Sequence, residues 1–242
     1  MSERLHFLTA SLASSPVLAI FLTVAAYLVG VWLFTRLGRP SWCPPVLVAA
    51  IVAAIVLWAL AIDYEDYRRG AGWLTLLLGP ATVALGVPLY QQKRHILRLW
   101  KALLLSLPIA AVLASAYAVL IAWLLGATPE VLASLAPKSV TAPIAIGIID
   151  QLGGSLPLMM GGLLVTGVMA TLVTEPLARR MGIQDHRIIG FALGLNGHAV
   201  GTVRAFDLSP CAGAFASLGM SLTGVFTALL LPLVWSLPRL IG

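Results

Sequence analysis

Charge is scarce in this sequence. Of its 242 residues only 10% are Asp, Glu, Lys or Arg, where a soluble domain carries about 25%. That scarcity, with 60% apolar residues and a strongly positive mean hydropathy, excludes an ordinary soluble fold and points to a polytopic membrane protein. Cysteine is rare too. Cys43 and Cys211 stand far apart without a CxxC partner, so neither a disulfide framework nor a metal site is implied. The signatures G-x-S-x-G, H-E-x-x-H and the Walker A loop are absent, and no nucleophile, base and acid cluster together. An enzyme is not expected, and no cofactor is implied. The net charge of +6 lies in short clusters between apolar runs, which serves orientation in a bilayer and not nucleic-acid binding.

Long apolar runs are abundant. A membrane-spanning helix needs about 20 mainly apolar residues, and seven stretches qualify: 16–34, 45–62, 73–90, 99–125, 156–178, 188–205 and 212–237. The first is too long for a signal-peptide core and runs into Arg36 and Arg39, so it reads as a retained span in a bacterial inner membrane. Further basic clusters follow at Lys93, Arg94, Arg98 and Lys101, at Arg179, Arg180 and Arg187, and at Arg239. Placing all of them in the cytoplasm puts the N-terminus outside and the C-terminus inside. The mixed-sign stretch 63–69 decides little.

The segment 129–152 is left over. It begins and ends on one side under this orientation, so it is expected to be a re-entrant hairpin; a single tilted, kinked span, which would put the C-terminus outside, is the other reading. Its first short helix starts at Pro129 with Thr128 as N-cap, its turn lies at 138–140, and its second helix runs to Leu152. The turn holds Lys138, Ser139 and Thr141 between Pro137 and Pro143, where proline removes backbone donors and breaks the helix. Broken backbone at membrane depth needs protein or water around it. A cation there marks a site, or else snorkels to the surface.

Residues 78–87 (LGPATVALGV) and 193–202 (LGLNGHAVGT) match at Leu-Gly, at Ala84 and Ala199, and at Gly86 and Gly201. Both contain helix breakers: Pro80 and Pro88 in or beside the first, Gly197 in the second. Their opposed orientations resemble the inverted repeats of secondary transporters, whose broken helices meet near the midplane; shared close packing is the other reading. Two halves are expected in a single domain of residues 1–242, about 13–125 and 128–239. Around the second break stand Asn196, His198, Gly201 and Thr202, and Thr82 lies in the first. A membrane histidine suits proton coupling or a simple interhelical bond. His6, His95 and His186 flank spans and read as interfacial. Glu175 is expected to pair with Arg179 one turn on; Arg204 reads as facing headgroups at the outer end of its span, or as holding a carboxylate bidentately.

Several of these stretches carry a family resemblance. Pro137-Lys138-Ser139-Val140-Thr141, Pro143-Ile144-Ala145, Gly153-Gly154, His198 to Thr202, Gly213-Ala214-Phe215, Tyr64 to Tyr67 and Gly79 to Tyr90 together resemble the LrgB/CidB family of bacterial membrane proteins. The likeness covers nearly the whole chain. It departs from the family pattern at Pro44, Ala142 and Cys211, and the missing hydroxyl at Ala142 bears on substrate identity. The resemblance implies a carrier of small monocarboxylates of the glycolate, glycerate, pyruvate or lactate type. It equally implies an antiholin-like accessory of murein hydrolase export and autolysis, paired with an LrgA/CidA-type protein. The site it implies comprises Lys138, Ser139, Thr141, His198, Gly201 and Thr202. The coupling ion, proton or sodium, is left open, as is a homo-oligomer. The expected fold is all-α: about seven spans plus a re-entrant hairpin, in two inverted-repeat-like halves.

Overall fold

A computed structural model describes residues 15–84, 86–91 and 93–241. The side chains of Thr82, Pro88 and His95 lie outside the described residues, as does His6. Among the described residues the protein is helical, without strands. The chain divides into two compact units, Met1–Ala84 and Leu85–Gly242.

The first unit contains α1 (Pro16–Arg36), α2 (Pro45–Ala59), α3 (Tyr64–Leu76) and α4 (Leu78–Ala84). The α1 and α2 helices each open on a proline, which needs no backbone donor in the first turn. They touch where a Cβ on Gly30 would meet the Pro45 carbonyl oxygen at 2.4 Å. The mixed-sign stretch is helical: Asp63 caps α3 by accepting from the Glu65 N–H at 2.8 Å. Tyr67 then reaches Thr23 of α1, hydroxyl to hydroxyl, at 2.7 Å.

The second unit runs through α5 (Gly86–Gln91), α6 (Lys93–Arg98), α7 (Trp100–Leu124), α8 (Pro129–Leu135), α9 (Ala142–Leu152), α10 (Leu156–Arg180), α11 (His186–Leu208) and α12 (Pro210–Ile241). Among the described residues four helices are long and apolar enough to cross a membrane: α1, α7, α10 and α12 as far as Ser236. The helices α2 and α9 are apolar but shorter.

Two of the seven expected spans are not single helices. The stretch 73–90 is divided among α3, α4 and α5. Pro80 is the third residue of α4 and Pro88 the third of α5, first-turn positions where the missing N–H costs nothing.

The stretch 188–205 folds back on itself. His198, with φ 41° and ψ −128°, interrupts α11. Three contacts fix the reversal. A Cβ on Gly201 would lie 2.1 Å from the Leu193 carbonyl oxygen, although eight residues of continuous helix span about 12 Å. His186 Nδ1 and Ser209 Oγ are hydrogen bonded at 2.8 Å across a separation of 23 residues, which a straight helix would spread over about 34 Å. Arg204 on the returning arm reaches back to Glu175. The α12 helix then runs parallel to the first arm of α11. Cβ atoms on Gly190 and Gly194 would strike the carbonyl oxygens of Ala212 and Ala216 at 2.1 and 1.9 Å, the same offset one turn on. Buried Leu193, Ala205, Ala212 and Ala216 fill the space between these segments.

The α8 and α9 helices flank non-helical residues 136–141. Thr128 and Thr141 occupy N-cap positions without a side-chain capping bond. The start of α10 packs against the last turn of α8, where the Ser155 N–H donates to Ser134 Oγ at 2.7 Å. Gly153, at φ 78°, makes the turn into α10.

Candidate functional site at Lys138

Lys138 is buried in the turn between α8 and α9, 7% exposed. Its Nζ donates to the Tyr117 hydroxyl of α7 at 2.7 Å and to Ser139 Oγ at 3.1 Å, and lies 4.3 Å from the Tyr117 ring centroid. An ammonium has three donors. Two are held by neutral oxygens, and among the described residues no carboxylate pairs with it. Pro137, Lys138, Ser139 and Val140 are all buried, so this is not a snorkelling side chain at the surface.

Lys138 and Tyr117 face a cavity of about 870 Å³ in the second unit, bounded by α7, α10 and the first arm of α11. From Gly161 to Met181 it follows α10 for about 30 Å. Thr166, Thr174 and Asn196 contribute the other polar side chains; the remaining wall is apolar. At the far end it reaches Met181, Ile183 and Ile188, beside Arg179, Arg180 and Arg187. There Asp185 caps α11 and grips Arg187. The Arg187 guanidinium, and then the Arg187 backbone N–H, hold the Asp185 carboxyl below the usual carboxylate range.

The expected site residues separate into two groups. Lys138 and Asn196 line the cavity, and Ser139 holds Lys138. Asn196 also donates to the Ala192 carbonyl at 3.0 Å. His198 is buried outside the cavity lining, and its Nε2–H donates to the Leu163 carbonyl of α10 at 2.8 Å. Thr202 donates back to the His198 carbonyl at 2.7 Å and sits 3.6 Å from Met220 Sδ. Gly197 packs on Ala170, and Gly201 on Leu193. These four build the fold-back and do not touch the cavity. Thr141 is half-buried at the start of α9, Pro143 is exposed one residue inside it, and Pro80 is exposed on α4.

Two expectations are corrected. Glu175 pairs with Arg204, not Arg179: Arg204 Nε donates to Glu175 Oε1 at 2.6 Å and its NH2 to Oε2 at 3.2 Å, a bidentate pair with side chains 15–17% exposed. Arg204 therefore does not lie at the outer end of a span, because the reversal at His198 returns it toward the 179–187 loop. Sequence reasoning also missed Tyr117, whose only signal was a hydroxyl within an apolar run. Among the described residues no group of three or more His, Cys, Asp or Glu is placed to hold a metal ion.

The family profile described as LrgB-like matches residues 23–237. The chain belongs to the LrgB-like family. An uncharacterized protein of Haemophilus influenzae is 33% identical over 222 residues, covering 90% of this chain and 96% of its own. A protein of Staphylococcus epidermidis named Holin-like protein CidB is 30% identical over 218 residues, covering 90% of this chain and 95% of its own. The Staphylococcus aureus protein of the same name is 28% identical over 217 residues, covering 90% and 94%. No solved structure matches this chain. Family and apolar helices together make this a membrane protein of the LrgB/CidB type.

Proposed function

We propose that this LrgB-like protein is a secondary carrier of small monocarboxylates in a bacterial inner membrane, and not an enzyme. The observation that carries this reading is Lys138. It is a buried ammonium that lines a cavity and, among the described residues, has only neutral partners. An anion is the ligand that completes such a group, because a buried charge without a counter-charge is costly. Tyr117 and Ser139 orient the ammonium and exclude other geometries. The residues 129–152 form a re-entrant hairpin that carries Lys138 to mid-depth, where non-helical backbone is shielded by protein. The basic loop 179–187 faces the cytoplasm, so anions approach the cavity from an electropositive mouth. The apolar walls favour a ligand with one charged end and few further polar groups. Uptake of labelled pyruvate, lactate, glycolate and glycerate into vesicles holding only this protein tests the reading.

A second reading has its own support, since the Staphylococcus relatives are named holin-like. In it the chain tunes cell-envelope lysis together with an LrgA/CidA-type partner. Vesicles without that partner separate the two. Uptake by the chain alone favours the carrier, and uptake only after the partner is added makes the pair the working unit.

A further inference from the structure

We infer that residues 186–208 form a second re-entrant hairpin, entering the bilayer from the face opposite the first, so that two hairpin tips close on neighbouring turns in the first half of α10. The inference uses the bilayer placement proposed above and does not need the carrier reading.

The α10 helix supplies the ruler. Its 25 residues span about 37 Å, one crossing of the membrane. At its first residues the second arm of hairpin one ends, at Leu152, and there the Ser155 N–H bonds to Ser134 in the last turn of the first arm. Past its last residues lies the base of hairpin two, tied by His186 to Ser209. One crossing separates the end of hairpin one from the base of hairpin two, so they belong to opposite faces.

Both tips reach the first half of the same helix. A Cβ on Gly162 would lie 3.1 Å from Leu135 Cδ2 and 3.9 Å from Lys138 Cβ. His198 bonds to the Leu163 carbonyl, and its Cε1 would lie 3.1 Å from a Cβ on Gly167. The α12 helix passes both tips, with Met220 beside Thr202 and Gly224 against Ile144. The elements repeat in order: two short arms, then a crossing helix. Inverted arrangements of this kind place a substrate site between broken helices. In this chain the site sits at the Lys138 tip, and the His198 tip is its counterpart from the other face.

The arrangement also places the C-terminal end. The α12 helix starts at the base of hairpin two and runs parallel to its first arm, so it finishes on the face opposite the 179–187 loop. The sequence-based orientation put it on the same face, because 188–205 was counted as a crossing.

Single cysteines in a background lacking Cys43 and Cys211 test this with a membrane-impermeant maleimide. Gln184→Cys and Ser209→Cys are expected to label from one face, and Asp150→Cys and Ser236→Cys from the other. Ser209→Cys labelling from the Asp150 face would overturn the inference. In the same membranes the pair His186→Cys with Ser209→Cys is expected to form a disulfide under mild oxidant. Failure to do so would also overturn it. Neither readout requires transport, so loss of the carrier reading and loss of this inference are distinguishable.

Discussion

His198 has backbone angles that suit glycine better than any L residue with a side chain. Such strain costs on the order of 1–3 kcal/mol, against roughly 0.5–1.5 kcal/mol for a net hydrogen bond such as the one to Leu163. Two substitutions separate these effects. His198→Ala loses the bond and keeps the strain; His198→Gly loses the bond and releases the strain. The Gly variant is expected to melt above the Ala variant in detergent, and the reverse order would show that the reversal is not strained there. Gly161 offers a test of the cavity. A side chain added there meets no atom within 4 Å and projects into the space beside Lys138. Gly161→Leu is expected to leave folding intact while reducing uptake several-fold.

At the scale of elements, the contact between α11 and α12 depends on glycines that let backbones approach. Gly194→Ala drives a methyl group into the Ala216 carbonyl, so separation of the helices is required. The expected loss is about 1–3 kcal/mol or more, read as a lower midpoint of thermal unfolding, while Gly161→Ala serves as the neutral control. Glu175 and Arg204 pin the returning arm to α10. Arg204→Met is expected to destabilise by roughly 1.5–3 kcal/mol, the range for hydrogen bonds to charged groups, with thermal unfolding again the measurement. The first break, between α8 and α9, was legible in the sequence because Pro137 and Pro143 bracket a cation within an apolar stretch. The second was not. No proline interrupts 188–205; its glycines weaken a helix without dictating a reversal, and one residue turns the chain. Counting that stretch as a crossing misplaced Arg204 and paired Glu175 with the wrong partner. The match between 78–87 and 193–202 did locate this break, but no periodicity announces a reversal made by a single His.

For the whole molecule, the all-helical membrane class followed from composition alone, because so few charges leave no other way to cover 60% apolar residues. Lys138 was legible as a lone cation between helix breakers, but its partner Tyr117 was not, since a tyrosine within a span is ordinary. The central claim is that Lys138 binds the carboxylate of a transported anion. Losing a hydrogen bond to a charged group costs roughly 1.5–3 kcal/mol, about a tenfold to hundredfold change in affinity. Lys138→Met keeps most of the stem and removes the ammonium; Lys138→Arg keeps the charge but replaces a compact donor with a planar fork. Ser139→Ala and Tyr117→Phe each remove one neutral partner of the ammonium and are expected to cost less than Lys138→Met. The decisive measurement is concentration-dependent uptake of labelled monocarboxylate by wild type, Lys138→Met and Lys138→Arg, normalised to inserted protein. The account predicts at least a tenfold weaker half-saturation in the Met variant, partly recovered by Arg. Wild-type affinity and rate in Lys138→Met would contradict it.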